Sequence, residues 1–76
     1  MASGYDSIFM INSMAKCPAQ YRHNWKAAAE KQAEIVRAEI ARLRKFASLK
    51  AGKVATLCCS TADDLEAKMT EAMAQF

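Results

Sequence analysis

The chain has 76 residues, of which 53% are hydrophobic and 25% charged, and its net charge is +3 at pH 7. This length fits a single domain, residues 1–76, with a small core, and this composition excludes a disordered chain. No segment reaches the ~20 consecutive apolar residues of a membrane span, so we expect no membrane partner.

The first predicted element is short and fits two structures. Residues 8–11 are consecutively apolar, which is compatible with a buried strand or with a helix capped by Asp6 or Ser7. We favour the helix, because a lone strand needs a partner and only residues 54–58 offer one. The alternative is a βαβα fold in which these two segments pair.

A long central helix is the clearest prediction. Neither Gly nor Pro occurs between Pro18 and Gly52, and the 33 enclosed residues repeat their apolar positions at helical spacing. Such a helix is roughly 50 Å long at ~1.5 Å per residue, whereas a compact domain of this size has a radius of gyration near ~11 Å. Cys17 is its predicted N-cap, and Gly52 fits a left-handed C-cap. Part of its apolar face should therefore remain uncovered by its own chain.

The last predicted element is a second amphipathic helix. Residues 53–59 lean toward a strand or a connector, and Ser60 or Thr61 is a candidate N-cap with Asp63 and Asp64 in the first turn. From Ala62 onward the apolar residues recur at helical spacing as Leu65, Met69, Ala72, Met73 and Phe76.

The predicted fold class is all-α. A short N-terminal helix, a long central helix and an antiparallel C-terminal helix would form a bundle, and we expect it to dimerise through the long helix. The centre of packing, within or between chains, is expected at Val36, Ile40, Leu43 and Phe46.

Charge is distributed unevenly along the chain. Residues 37–53 carry six cations against Glu39, a net charge of +5, whereas residues 54–76 carry −3. An antiparallel C-terminal helix would offset the basic segment with its surface carboxylates. Alternatively, the basic segment binds nucleic acid or an acidic protein, and its contacts would then include Arg37, Arg42 and Arg44.

No residue pattern predicts catalysis. Vicinal Cys58 and Cys59 with Cys17 lack the C-x-x-C spacing of a zinc site, and the single His23 has no partner at a fixed spacing. Two glycines cannot build a phosphate-binding loop. We therefore expect no enzyme activity, no metal and no cofactor.

The thiols and the N-terminus indicate a cytoplasmic chain. An odd number of cysteines, two of them adjacent, does not form a disulfide framework. The first residues include Asp6 and lack the basic region of a signal peptide.

Binding is therefore the predicted function. The leading hypothesis is a small non-enzymatic regulator or inhibitor that binds a larger cytosolic protein stoichiometrically, as phage or plasmid adaptor and anti-host proteins do. The alternative is nucleic-acid binding by residues 37–53. Tyr21 and Trp25 are the expected anchors, because aromatic side chains dominate interface hot spots.

Three further residues are candidates for partner contact. Glu39 lies at the centre of the apolar stripe, so it is either exposed beyond the end of the covering helix or placed at an interface. Met69 and Met73 either fill the core or line an exposed groove, as methionine does on adaptable binding surfaces.

Overall fold

The computed structural model describes residues 4–76, which form three α-helices. These are α1, Gly4–Ala15; α2, Ala19–Ser48; and α3, Lys53–Met73. The predicted all-α class and the short, long, antiparallel order of its helices are confirmed. The two ambiguous segments, residues 8–11 and 54–58, are helical, and the described residues contain no strand, so the βαβα alternative is wrong.

The helix starts differ from those predicted. α1 already includes Gly4, so the expected caps Asp6 and Ser7 lie inside the helix. Pro18, rather than Cys17, is the N-cap of α2, and its extended ψ of 143° is typical of a residue just outside a helix. α3 begins at Lys53 instead of Ser60 or Thr61 and has no side-chain cap.

Gly52 makes the turn between α2 and α3. α2 ends with Leu49 as a right-handed C-cap, so Gly52 is not the C-cap of this helix as predicted. It is instead the N-cap of α3, with φ of 70° and ψ of −142°. Only glycine adopts such a conformation readily. The positive φ was predicted at the correct residue, but this residue is the N-cap of α3 and not the C-cap of α2.

The early start of α3 results from packing. Val54 and Thr56 are β-branched, which costs only tenths of a kcal/mol per residue in a helix. Antiparallel pairing with the last turns of α2 buries Ala47 and half-buries Cys58. Tertiary contacts of this kind commonly override such weak propensities, and the helix therefore extends back to the turn.

The core lies along the seam where all three helices meet. Val36 and Ile40 of α2 are buried there as predicted, whereas Leu43 is half-buried and Phe46 is exposed within the chain. Alanines make up much of this seam, so the helices approach closely but bury few large side chains. The core residues are Ile8, Ile11, Ala29, Ala33, Val36, Ile40, Ala62, Leu65, Met69 and Ala72.

The molecule is a rod of 48 × 17 × 16 Å with a radius of gyration of 13.9 Å. This value exceeds the ~11 Å of a compact chain of this length, as the long helix predicted. No helix within residues 4–76 is both long and apolar enough to cross a bilayer.

Two leucines of α3 differ in burial, so substitutions at these positions test the packing of the core. Leu65 is fully buried, whereas Leu57 is 68% exposed. We expect Leu65→Ala to lower the free energy of unfolding by about 2–5 kcal/mol, because the substitution leaves a cavity in the core. Leu57→Ala should change it by less than about 0.5 kcal/mol. Urea denaturation followed by circular dichroism measures both values, and equal losses would contradict this packing.

Candidate functional site

The hairpin of α2 and α3 has an apolar face that α1 covers only in part. α1 starts at Gly4, between Glu39 of α2 and Leu65 of α3: a Cβ added at Gly4 would lie 3.0 Å from Leu65 Cδ2 and closer still to the Glu39 carboxylate. Leu43 and Phe46 follow Glu39 by four and seven residues, so they continue the same face of α2 beyond α1.

α3 supplies the other half of this face. Val54, Cys58 and Thr61 precede Leu65 by eleven, seven and four residues, which is the repeat of one helix face. Leu57 lies one turn before Thr61. We name this surface the open face and define it by Leu43, Phe46, Val54, Leu57, Cys58 and Thr61.

The open face exposes large apolar side chains. Phe46 is 46% exposed, Val54 is equally accessible, and Leu57 is the most exposed of the three. Leu49, the C-cap of α2, adds a further exposed side chain at the tip of the hairpin. Single exposed apolar residues are common, but a cluster of them is typical of an interaction surface.

Cations border the open face on both helices. Residues 40–62, which contain the whole open face, include five cations and no carboxylate. Arg42 stands one turn before Phe46 on α2, and Lys53 stands one turn before Leu57 on α3. Lys50 directly follows Leu49, the C-cap of α2. The Lys50 Nζ lies 5.2 Å from the centroid of the Phe46 ring, a cation–π contact.

Of the three arginines predicted to bind a partner, one is occupied within the chain. Arg44 Nη2 lies 2.5 Å from Glu66 Oε2 and 3.4 Å from Asp63 Oδ1. The hydrogen bond with Glu66, followed by that with Asp63, raises the pKa of Arg44. Arg37 and Arg42 are exposed and form no ion pair with residues 4–76. The C-terminal helix thus offsets the basic segment, but only at Arg44.

A polar cluster fixes the start of α1 on α3. The Tyr5 hydroxyl donates a hydrogen bond of 2.6 Å to Asp64 Oδ2, and Lys68 Nζ lies 3.0 Å from the same oxygen. The Tyr5 hydrogen bond, and then that of Lys68, lowers the pKa of Asp64. The bond to Asp64 also raises the pKa of Tyr5. This cluster forms the inner boundary of the open face.

Glu39 lies at the same boundary. It is half-buried next to Gly4, where the N-terminal end of the α1 dipole favours a carboxylate. The helix that packs beside Glu39 is α1 rather than the C-terminal helix, and Gly4 is its first described residue. Glu39 is therefore neither fully exposed nor enclosed within the chain, and its contact with a partner stays a prediction.

The predicted aromatic anchors are at the opposite end of the rod. Tyr21 and Trp25 are about half exposed. Trp25 lines a shallow cavity of about 410 Å³ at the turn between α1 and α2, together with Ser13, Met14, Lys16 and Cys17. Their surface is available to a partner, and it is separate from the open face.

The methionines of α3 belong to the core. Met69 is 6% exposed and lies within the hydrophobic core, and Met73 is half-buried against it. Neither side chain belongs to the open face, although Met69 also lines a small cavity of about 210 Å³ with Ile40 and Arg44. Contact of Met69 and Met73 with a partner stays a prediction.

The thiols form no site of their own. Cys17, Cys58 and Cys59 are free. No group of three His, Cys, Asp or Glu residues within the described part of the chain is arranged to hold a metal ion.

Comparison with known proteins identifies no relative: no family model, no curated protein and no solved structure matches this chain. The inference of function therefore depends on the surface of the chain itself.

The Tyr5–Asp64 hydrogen bond generates a pH prediction. Because the folded pKa of Asp64 is lowered, its carboxylate stabilises the fold above the unfolded value of 3.8, and this contribution is lost as the pH falls through the folded pKa. In Tyr5→Phe we expect the pKa of Asp64 to rise toward 3.8 and the acid loss of stability to become shallower. NMR titration of the Asp64 carboxyl carbon measures the first effect, and unfolding at neutral and acidic pH measures the second. An unchanged Asp64 titration would contradict the hydrogen bond.

Proposed function

We propose that this chain is a small non-enzymatic regulator or inhibitor that acts by stoichiometric binding to a larger cytosolic protein, and that the open face receives this partner. One observation carries the proposal: the apolar hairpin continues about 15 Å beyond the start of α1. Phe46, Val54 and Leu57 are consequently exposed together on one face.

Covering the open face would be favourable. Apolar surface removed from water contributes about 25 cal/mol per Å². The packing of α1 on the inner part of the hairpin also supports a helix as the occupant, because Ile8 and Ile11 of α1 enter the same seam between α2 and α3. Amphipathic helices bind apolar grooves of partner proteins in this manner.

Tyr21 and Trp25 extend this proposal to the far end of the rod. A partner that contacts both ends would have to follow the 48 Å axis of the molecule. Aromatic side chains give large contact areas at such sites. We therefore keep both residues as predicted anchors, secondary to the open face.

A homodimer through the long helix, predicted from the length of α2, would use the open face as well. Its test is the molar mass in solution, measured by size-exclusion chromatography with light scattering. Two open faces in contact would bring together many cations without a carboxylate between them, and we therefore rank a different protein above a second copy.

Nucleic-acid binding by residues 37–53 is the second candidate, supported by the free cations of this segment. Arg37 and Arg42 are about 140° apart around the axis of α2, so their contacts with phosphate would be dispersed. If this candidate is correct, Arg37→Ala with Arg42→Ala should weaken retention on heparin or duplex RNA and reduce its salt dependence. Unchanged retention, measured by binding at several salt concentrations, would exclude these two arginines as contacts.

Capture from a lysate of the source cells tests the leading proposal. We compare the wild-type chain with Leu57→Asp, which places a charge on the open face, and with Phe9→Asp. Phe9 is 70% exposed on α1 and lies outside the open face, so this variant is a matched control. We expect mass spectrometry to identify a protein that the wild type and Phe9→Asp retain and that Leu57→Asp loses.

The same capture experiment tests whether the partner also contacts Trp25, at the opposite end of the rod from the open face. Trp25→Ala should weaken retention if the partner reaches this residue. Equal retention by the wild type, Leu57→Asp and Phe9→Asp would contradict the assignment of the open face.

A further inference from the structure

We infer that the segment which occupies the open face is an acidic amphipathic α-helix of a partner protein, lying in line with α1 as a third helix on the outer part of the hairpin. This inference rests on the proposed function, because it specifies the chemistry of what the proposed surface binds.

The length of the open face sets the length of the occupant. α1 reaches the level of Glu39, and α2 continues from there to its C-cap at Leu49. Ten residues of α-helix span about 15 Å. An occupant of about three turns would therefore fill the position and would present apolar side chains at i, i+3 or i+4, and i+7.

The shape of the open face favours a helix. Small residues close the interface between α2 and α3 at this level, where Ala47 and Ala62 are buried and Cys58 is half-buried. One large apolar side chain from each helix, Phe46 and Leu57, stays exposed beside this interface. A helix stripe placed between them would continue the packing that α1 makes further along the hairpin.

The charges around the open face favour acidic flanks on this helix. Arg44 is already paired with Glu66 and Asp63. Arg42, Lys50 and Lys53 are exposed and form no ion pair with residues 4–76. Arg42 and Lys53 stand one turn before Phe46 and Leu57, and Lys50 lies over the Phe46 ring. Carboxylates that flank the apolar stripe of the partner would meet cations on both edges, whereas basic flanks would be repelled.

A second copy fits these charges poorly. Two paired open faces would juxtapose two stretches of residues 40–62, each with five cations and no carboxylate. The nearest carboxylates are at the inner boundary, and Asp64 there is already bonded to Tyr5 and Lys68. Like charges across an interface oppose association.

Peptide selection tests the chemistry of the occupant. The full chain is used to select from displayed helical peptides of about 16 residues, a length near the limit for isolated helices. Leu is fixed at i, i+4 and i+7, and Glu, Lys, Gln and Ala are randomised at the flanking positions. Peptides that also bind Leu57→Asn, which disrupts the open face without adding a charge, are removed. We expect the enriched peptides to carry Glu at their flanks.

Direct binding follows the selection. An enriched acidic peptide should bind at least about tenfold more tightly than the same peptide with Lys in place of Glu, and its affinity should fall as salt rises. Fluorescence anisotropy measures both effects. Arg42→Gln, Lys50→Gln and Lys53→Gln together should reduce the preference for the acidic peptide, while Lys26→Gln, at an exposed cation in the opposite half of α2, serves as the control.

Thiol alkylation locates the bound peptide. Cys58 belongs to the open face, whereas Cys59 is exposed and lies about 100° further around α3. A bound helix should slow the reaction of a maleimide with Cys58 and leave Cys59 unaffected. Cys58 is followed in a variant with Cys17→Ser and Cys59→Ser, and Cys59 in a variant with Cys17→Ser and Cys58→Ser, by mass spectrometry.

The possible contrary outcomes are distinguishable. Enrichment of neutral or basic peptides that still protect Cys58 overturns the acidic helix but leaves protein binding at the open face intact. Failure to enrich any peptide that depends on Leu57 overturns the inference, and capture with Leu57→Asp then decides the proposed function separately. A dimer that Leu57→Asp dissociates assigns the open face to a second copy. Duplex RNA that competes with the selected peptide and protects Cys58 assigns it to nucleic acid.

Discussion

The difference in length between α1 and the hairpin on which it packs determines most of this structure. α1 has 12 residues, α2 has 30 and α3 has 21. Where the three helices overlap there is a buried core, and where only two are present their shared face meets solvent. Leu57 and Leu65 are two turns apart on one helix, and α1 covers only the second of them. Leu57 also lies about 80° around the helix axis from Leu65, and both its position along the hairpin and this rotation leave it exposed.

The charged side chains also differ between the part of the hairpin that α1 covers and the part beyond it. At the inner boundary the carboxylates of α3 are used within the chain, Asp64 with Tyr5 and Lys68, and Glu66 with Arg44. Beyond this boundary the hairpin has cations only. Within residues 4–76 the fold thereby separates a section whose carboxylates are paired from a section in which Arg42 and Lys53 form no ion pair and large apolar side chains are exposed. Because the alanine-rich core buries little area, added burial on the outer section would be a substantial gain for a chain of this size.

The sequence predicted the features that follow from the spacing of apolar residues. It missed the features that depend on how far one helix packs along another. The absence of Gly and Pro over 33 residues sufficed for α2, and the apolar repeat placed Val36 and Ile40 in the core. The start of α3 was missed, because Val54 and Thr56 suggest a strand locally, whereas the half-buried Ala55 and Cys58 pack the same stretch into the helical hairpin.

The candidate site was predictable only in part. Trp25 and Tyr21 were expected on the surface and are exposed there, but the open face depends on where α1 starts, which a short apolar run does not locate. Glu39 was the available signal: this carboxylate in the middle of an apolar stripe lies beside Gly4, the first described residue of α1. Asp63 and Asp64 were assigned to a helix start, but they lie in mid-helix and bond to Arg44 and Tyr5.

The backbone conformation at Gly52 determines which kind of residue can occupy this position. Its φ of 70° and ψ of −142° are close to the mirror image of polyproline II, and no atom lies within 4 Å of the position of an added Cβ. The identity of this residue is thus constrained by chirality and not by crowding. An achiral residue at position 52 therefore lets the backbone enter α3 directly, whereas any L-residue there would be strained even though space for its side chain is open.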